Sequence, residues 1–194
     1  MATDRPDLQR GATIAVRPST PADIARIAAI YRHHVLNGLA SFEEVPPDAA
    51  ELARRRDDIV GRGLPHLVAT DGAPGSGKVL GYAYAGPYRA RSAYRFSVED
   101  SVYIAPEAIR RGVGRRLLGA VIAACDTAGY RQMVAVIGDS GHDASIGLHA
   151  ALGFAHAGVL RGIGFKFGRW VDSVLMQRAL GSGDATSPVE RSGS

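Results

Sequence analysis

The sequence has little cysteine and no long apolar run. Cys125 is the only cysteine among 194 residues, so the chain cannot close a disulfide on itself, and it has no zinc-binding spacing. The longest apolar stretch, residues 117–125, has about half of the roughly 18 residues that a membrane-spanning helix needs. The first ten residues, MATDRPDLQR, lack the apolar segment of a secretory signal. These absences predict a cytoplasmic protein that does not bind membranes, with Cys125 packed in its core.

The rest of the composition is that of a globular protein. Hydrophobic residues make up 46% of the chain and charged residues 22%, and the length suffices for one well-buried core. We expect one folded domain over residues 12–180, preceded by a flexible segment over 1–11. The small, polar segment over 181–194, GSGDATSPVERSGS, is predicted to be disordered.

Positive charge is concentrated in one part of the chain. Residues 86–116 contain seven arginines and three acidic residues, an excess that equals the net charge of +4 of the whole chain. A local excess of this kind favours a bound anion over a surface that coats a polyanion. A nucleic-acid-binding module is the alternative, but no helix-turn-helix, zinc-binding or base-stacking motif accompanies the arginines. We therefore predict no nucleic acid partner.

The hydrophobic pattern of the N-terminal half predicts a strand, two helices and two more strands. The strand over residues 12–19 leads into a helix that Thr20 caps and Pro21 begins. A second helix follows near residues 48–63. Two apolar, alternating segments then read as a hairpin whose loop contains DGAPGSG.

The pattern continues with a strand over RFSVEDSVYI. Asp100 shares one face of this strand with four apolar residues (Phe96, Val98, Val102 and Ile104), whereas Glu99 lies on the other face. A helix over residues 112–128, a short apolar strand, a short helix begun by Asp143 and two closing strands complete the chain.

The segment IRRGVG, residues 109–114, lies between that strand and the following helix. It is not a dinucleotide fingerprint, because Leu117 stands where the third glycine is required, and no Gly-Lys-Ser/Thr of a P-loop is present. A helix that starts at Gly112 nevertheless offers free backbone N–H groups and the positive end of its dipole, which suit a pyrophosphate. A tight turn without a ligand explains the two glycines equally well.

The order of elements and several sequence blocks together resemble one family. The order is that of the acetyl-coenzyme-A-dependent N-acetyltransferases of the GNAT superfamily, in which IRRGVG corresponds to the pyrophosphate loop. The blocks SFEEVPP, YAYAGPYRARSAYRFSVEDSVYI, VAVIGDSGHDASIGLHAALGF and GFKFGRWVDSVLMQRAL look like those of the phosphinothricin and methionine sulfone/sulfoximine acetyltransferases. The likeness covers residues 12–180. Ile109 and His142 depart from the pattern, since relatives usually carry Gln or Arg at the first position and often Asn at the second.

The resemblance implies a fold and a co-substrate. The fold is α/β, more fully a three-layer α+β arrangement, with a mixed and mostly antiparallel central sheet that splays to admit acetyl-coenzyme A. No metal is implied, and the expected assembly is a homodimer, for which GFKFGRW offers aromatic surface. The residues implied for binding acetyl-coenzyme A are Val102, Tyr103, Ile104, Arg110, Arg111, Gly112, Val113, Gly114, Arg115, His142 and Ser145.

Two residues are expected to take part in catalysis. An amine must lose its proton before it attacks a thioester, and Glu99 matches the general base proposed for the family. The alternative for Glu99 is a surface carboxylate paired with Arg95. His149 occupies the position where many GNAT proteins place a tyrosine proposed as general acid, and a histidine can protonate a thiolate near neutral pH. The alternative for His149 is a helix histidine that only packs and hydrogen-bonds.

The acceptor implied by the resemblance is a small amino acid analogue such as phosphinothricin, methionine sulfone or methionine sulfoximine. Arg91, Ser92 and Tyr94 match the family's substrate contacts, and a guanidinium fork suits a carboxylate or an oxyanion. Phe42 corresponds to a pocket wall. Polyamines and protein N-termini are alternative acceptors, although the arginine-rich segment disfavours a polyamine.

Overall fold

A seven-stranded sheet, in the order β1-β2-β3-β4-β5-β7-β6, organises the part of the chain that the structure describes. The structure is a computed structural model that describes residues 13–72 and 77–189. The predicted flexible segment over 1–11 therefore lies outside the described residues. The strands are β1 (Ile14–Pro18), β2 (His66–Asp71), β3 (Val79–Pro87), β4 (Ser97–Ile104), β5 (Gln132–Gly138), β6 (Ala155–Lys166) and β7 (Arg169–Ala179).

Four α-helices cover the two faces of this sheet within the same described ranges. They are α1 (Ile24–Asn37), α2 (Ala49–Gly61), α3 (Val113–Thr127) and α4 (Asp143–Ala150). Thr20 and Asp23 form the capping box at the turn that leads into α1, and the side chain of Asp48 accepts a hydrogen bond from the Glu51 N–H at the start of α2. Capping groups of this kind satisfy N–H groups that lack a partner within the helix.

The point where β4 and β5 separate is the feature of the sheet that positions the site. These two strands are parallel and connected through α3, whereas the other neighbouring pairs are antiparallel. They pair from Ser97 opposite Gln132 to Asp100 opposite Ala135, and no further. The mixed, mostly antiparallel sheet predicted from the resemblance is confirmed, and it opens beyond Asp100.

The core fills both sides of the sheet. Helix α3 packs on strands β1 to β4 from one side, and α1 and α2 pack on β2 to β4 from the other. The apolar face of α3 is fully buried, and it includes Leu117, Leu118, Val121 and Cys125. Burial of Cys125 agrees with its predicted place in the core.

The segment after β7 stays in contact with the domain. Arg131 donates hydrogen bonds to the carbonyl oxygens of Gly183 and Thr186, at 2.8 and 2.9 Å. Residues 181–186 form turns and bends, so this part of the predicted tail is held against the start of β5. Residues 190–194 lie outside the described residues. No helix in the described part of the chain is long and apolar enough to cross a membrane.

Candidate active site

The loop before α3 has the backbone conformation of an anion cradle. Arg110 and Gly112 both adopt positive φ angles, of 64° and 77°, and α3 begins at Val113. Left-handed residues next to a helix start turn successive N–H groups toward one side. These groups have no carbonyl partner within the helix. The loop therefore presents main-chain donors, together with the positive end of the α3 dipole, to a bound anion.

A large cavity leads away from this loop between α3 and α4. Its volume is about 440 Å³, and His34 and Ala40 from the α1 side line it. The predicted cofactor residues that line it are Val102, Ile104, Arg110, Gly112, Val113, Gly114, Arg115, His142 and Ser145. The residues that the sequence did not single out are His34, Ala40, Ala108, Ala144 and Leu148, together with Ile109, which the sequence flagged only as a departure from the pattern.

Two of the predicted cofactor residues lie apart from this cavity. Arg111 is outside its lining and faces Asp71, with 3.4 Å between the guanidinium and the carboxylate. Tyr103 points its ring to the opposite face of β4, where it packs edge-on against Tyr31 and stacks with Tyr82. A Tyr103 contribution on the cavity side is therefore limited to its main chain.

A second, smaller cavity of about 50 Å³ continues the first into the opening between β4 and β5. Both cavities are lined by Ala40, Val102, His142 and Ser145, so they adjoin. The walls of the smaller one are Tyr103, the end of β5 over residues 135–138, and the pair formed by Asp100 and His149. The two cavities thus form one channel that runs from the α3 loop to the gap in the sheet.

The buried pair of Asp100 and His149 lies at the inner end of this channel. His149 Nε2 is 3.0 Å from Asp100 Oδ2, and His149 Nδ1 is 2.7 Å from the carbonyl oxygen of Ser145. Burial lowers the pKa of His149, but the hydrogen bond and charge of Asp100 and the Ser145 carbonyl outweigh burial, so its pKa is raised overall. The second oxygen of Asp100 is buried without a hydrogen-bond partner.

Glu99 lies on the other face of β4, which is the face toward α1 and α2. Its half-buried carboxyl group has a raised pKa, because burial and the neighbouring Asp100 both disfavour the charged form, while Arg89 opposes them. Arg95, the partner of Glu99 in the alternative interpretation, places its guanidinium over the ring of Phe96, 4.6 Å from the ring centroid. A carboxyl with a raised pKa is better matched to accepting a proton near neutral pH than an ordinary one.

The predicted acceptor residues come from two separate loops. Phe42 lies between α1 and α2, and its ring rests on Gly138 and Gly164, where a β-carbon would approach it to 2.9 and 2.6 Å. Arg91, Ser92 and Tyr94 lie in the connection between β3 and β4 and are exposed. The first loop reaches the gap in the sheet, and the second lies next to the strand end that carries Glu99.

Two buried or half-buried side chains that the sequence did not single out support these walls. Lys166 on β6 donates to the carbonyl oxygens of Gly38 and Ser41, at 3.0 and 2.6 Å, and so holds the loop that carries Phe42. His34 Nε2 lies 2.8 Å from the carbonyl oxygen of Ile104, at the free edge of β4. Among residues 13–72 and 77–189, no three His, Cys, Asp or Glu side chains are grouped so as to hold a metal ion.

A mixed sheet that opens between two parallel strands, next to a helix with a glycine N-cap, is the arrangement that the GNAT resemblance predicted. The acetyltransferase (GNAT) family profile matches residues 28–154. The chain belongs to the GNAT family of acetyltransferases, as the resemblance predicted.

Within that family, the chain is similar to two kinds of amino acid analogue acetyltransferase. The chain is 58% identical over 173 residues to the phosphinothricin N-acetyltransferase of Alcaligenes faecalis, which covers 89% of this chain and 86% of the relative. It is 42% identical over 166 residues to the L-methionine sulfoximine/L-methionine sulfone acetyltransferase of Pseudomonas aeruginosa, covering 86% of this chain and 94% of the relative.

A solved structure matches the fold closely. The phosphinothricin acetyltransferase of Sinorhizobium meliloti, in complex with acetyl-coenzyme A, superposes with a TM-score of 0.87 at 49% identity. The match covers 92% of this chain and 94% of that chain.

Proposed function

We propose that this protein transfers the acetyl group of acetyl-coenzyme A to the amine of a small amino acid analogue of the phosphinothricin, methionine sulfone or methionine sulfoximine type. The observation that carries the proposal is the continuous channel from the α3 loop to the gap between β4 and β5. The loop offers main-chain donors for a pyrophosphate, and the free edge of β4 offers groups that pair with an extended amide chain. The names of the relatives supply the acceptor class.

Glu99 serves as the general base in this proposal. The α-amine of a free amino acid is mostly protonated at neutral pH and must lose a proton to attack a thioester. The raised pKa of Glu99 suits it to take the proton, directly or through water. Bound acetyl-coenzyme A supplies the activated acetyl group, and the transfer needs no covalent intermediate on the protein. Cys125 is fully buried in α3 and is not a nucleophile.

The general-acid role of His149 stays a prediction. Both of its ring nitrogens face oxygen atoms of the protein, so a proton given to the leaving thiolate must first leave one of those hydrogen bonds. Turnover of His149→Phe and His149→Ala tests the role. We expect a loss in both variants, and wild-type turnover in both excludes it.

Arg91, Ser92 and Tyr94 bind the acceptor in this proposal, and Phe42 forms a wall of its pocket. Arg91 is exposed and free to form two parallel hydrogen bonds with a carboxylate. The exposed ring of Tyr94 packs edge-on against Tyr88 at 5.6 Å, which fixes its position beside the loop. Arg91→Ala is expected to raise the acceptor KM; an unchanged KM removes Arg91 from the pocket.

The release of coenzyme A thiol tests the proposed function. Acetyl-coenzyme A is supplied with phosphinothricin, methionine sulfone, methionine sulfoximine, ordinary amino acids or spermidine in parallel reactions. We expect the highest kcat/KM with one of the three analogues. Turnover of spermidine alone, or of no zwitterionic compound, contradicts the assignment.

We further propose a homodimer that uses the β6–β7 hairpin. This hairpin exposes an apolar patch, with Trp170 at 68% and Phe165 at 56% exposure, whose rings lie 5.3 Å apart. Ile163 and Phe167 add to the patch, and exposed apolar groups of this size favour association. Sedimentation of the wild type as a dimer and of Phe165→Glu/Trp170→Glu as a monomer is expected. A monomeric wild type contradicts this proposal.

A further inference from the structure

Asp100 and His149 lie where the pairing of β4 and β5 ends. Asp100 is the last residue of β4 that pairs with β5, opposite Ala135. Just beyond it, the strands part to form the smaller cavity. Its side chain points to the channel face and meets His149 of α4 there. One side-chain pair therefore joins the strand and the helix that form the two walls of the channel.

Opposite a carboxylate at Asp100, the hydrogen-bond pattern of His149 favours a proton on each ring nitrogen. The Ser145 carbonyl oxygen can only accept, so Nδ1 must donate to it. A neutral imidazole with its proton on Nδ1 presents a lone pair at Nε2, and that lone pair would face the carboxylate of Asp100 at 3.0 Å. The doubly protonated ring satisfies both partners. Its positive charge also compensates the buried carboxylate, which would otherwise be costly.

Helix α4 and its N-cap residue also carry two residues that line the channel, one turn and two turns before His149. Ser145, which His149 binds through its carbonyl, lines both cavities together with His142. A ring held at both ends therefore sets how far α4 stands from β4. The width of the inner channel depends on this distance.

We propose that Asp100 is a positioning residue for acetyl-coenzyme A: it keeps His149 doubly protonated, and the bridge from β4 to α4 holds the inner channel in its binding shape. The inference rests on the proposed function, because it assumes that acetyl-coenzyme A occupies the channel. Asp100 acts through His149 and not on the acetyl group itself. Once His149 loses its proton, the bridge is lost and binding weakens.

Few other ionisable groups face this pair. From β4, Glu99 points to the opposite face of the sheet. From α4, the Nδ1 atom of His142 accepts a hydrogen bond from the Ser145 N–H at 3.2 Å. From α1, His34 is engaged with the Ile104 carbonyl, and burial lowers its pKa. The β5 segment over residues 132–138 has no ionisable side chain, and the ring of Phe154 covers His149 edge-on at 5.0 Å.

The direction of the pH dependence follows from the raised pKa of His149. The bridge forms only while the ring carries both protons, so it contributes to binding below the pKa of His149 and is lost as pH rises through that pKa, which Asp100 raises. Affinity for acetyl-coenzyme A is therefore expected to fall as the solution is made more alkaline across that pKa. A variant without the Asp100 carboxylate has no bridge to lose, so it should bind more weakly and lack this fall.

Titration calorimetry with acetyl-coenzyme A, repeated from about pH 5.5 to 8.5, tests the inference. Asp100→Leu keeps the approximate side-chain size and removes the carboxylate, without supplying an N–H group that could donate to a neutral Nε2 as Asn would. We expect its affinity at neutral pH to fall on the order of tenfold, about 1.4 kcal/mol. The acceptor KM stays within about twofold of wild type, since the acceptor groups lie on the other face. The double variant Asp100→Asn/His149→Gln restores a neutral amide bridge and is expected to bind with no pH dependence from this site.

The controls separate failure of the inference from failure of the proposed function. Asp58→Asn changes an exposed carboxylate that pairs with Arg62 on α2, and it is expected to match the wild type. If the wild type binds no acetyl-coenzyme A, the proposed function fails. If it binds, and Asp100→Leu has the wild-type affinity and pH dependence, the positioning role is wrong.

Nitrogen NMR of the histidine side chains gives a readout that needs no variant. We expect both ring nitrogens of His149 to carry protons at neutral pH in the wild-type protein. A neutral His149 ring under those conditions overturns the proposal.

Discussion

The two faces of β4 build their halves of the site in different ways. On the α3 and α4 face, the channel is formed by two continuous stretches, residues 102–115 and 142–148, and its anion donors are main-chain N–H groups. On the α1 and α2 face, the proposed acceptor residues come from two loops and one strand and would act through their side chains. Backbone geometry should therefore decide binding at the α3 loop, and side-chain identity should decide turnover and acceptor choice.

The largest expected effect is that of Glu99→Gln. The amide cannot accept the proton of the amine, so kcat should fall by about 10²-fold or more, with acetyl-coenzyme A affinity unchanged. Because the pKa of Glu99 is raised, wild-type kcat/KM should decline as pH falls through that pKa. The variant should lose this acidic limb. Steady-state rates across pH provide the measurement.

Glu107→Gln is the matched control for that change. Glu107 is an exposed carboxylate that pairs with Lys78 at 2.6 Å, away from the acceptor loops. It should keep the wild-type rate and pH profile. A Glu99→Gln enzyme that is equally active at every pH would show that another group accepts the proton.

The next effect is that of Gly112→Ala, which acts on the cofactor face alone. Gly112 has a φ of 77°, and placing a β-carbon in that conformation costs about 1 to 2 kcal/mol. We expect the loop to shift and the Kd for acetyl-coenzyme A to rise about tenfold, because 1.4 kcal/mol corresponds to a factor of ten. The acceptor KM should not change. Calorimetry and steady-state kinetics measure the two constants.

Gly119 offers a matched control within the same helix. A β-carbon at Gly119 would meet no atom within 4 Å, so Gly119→Ala should bind acetyl-coenzyme A as the wild type does and gain up to about 1 kcal/mol in helix stability. Equal effects of the two substitutions on the Kd would contradict a cradle made of main-chain donors.

The smallest effect is expected from Gly164→Ala, which tests the acceptor face. Its β-carbon would lie 2.6 Å from the ring of Phe42, so the ring must move. We expect the acceptor KM to rise about fivefold, the equivalent of roughly 1 kcal/mol of overpacking, with no change in acetyl-coenzyme A affinity. Gly158→Ala on the same strand, where a β-carbon meets nothing within 4 Å, should leave both constants unchanged. A normal acceptor KM in Gly164→Ala would separate Phe42 from the acceptor pocket.

The lining of the cavity beside α3 could be predicted from the sequence better than the floor beneath Phe42, for a physical reason. Strand alternation, the Pro106 break and the two glycines of the loop are local signals, and the channel follows the chain through residues 102–115. The floor beneath Phe42 has no such signal. It depends on Gly138 and Gly164, which only the folded sheet brings together.

Three side-chain contacts could not be predicted from the sequence, because their partners are distant along the chain. Asp100 stood out as an acid on an apolar strand face, but its partner His149 is 49 residues away and is joined to it by the packing of α4. Lys166 lies more than a hundred residues from the loop that it holds. His34 follows the buried face of α1, and nothing in its spacing indicates a contact with the edge of β4.

The identity of the product tests the central claim most directly. Phosphinothricin, methionine sulfone or methionine sulfoximine is incubated with acetyl-coenzyme A and the protein, and the mixture is followed by NMR and mass spectrometry. We expect an acetyl group on the α-amine of one of these compounds and one equivalent of free coenzyme A thiol for each acetylated molecule. Thiol release without an acetylated amine, or no reaction with any of the three, would contradict it.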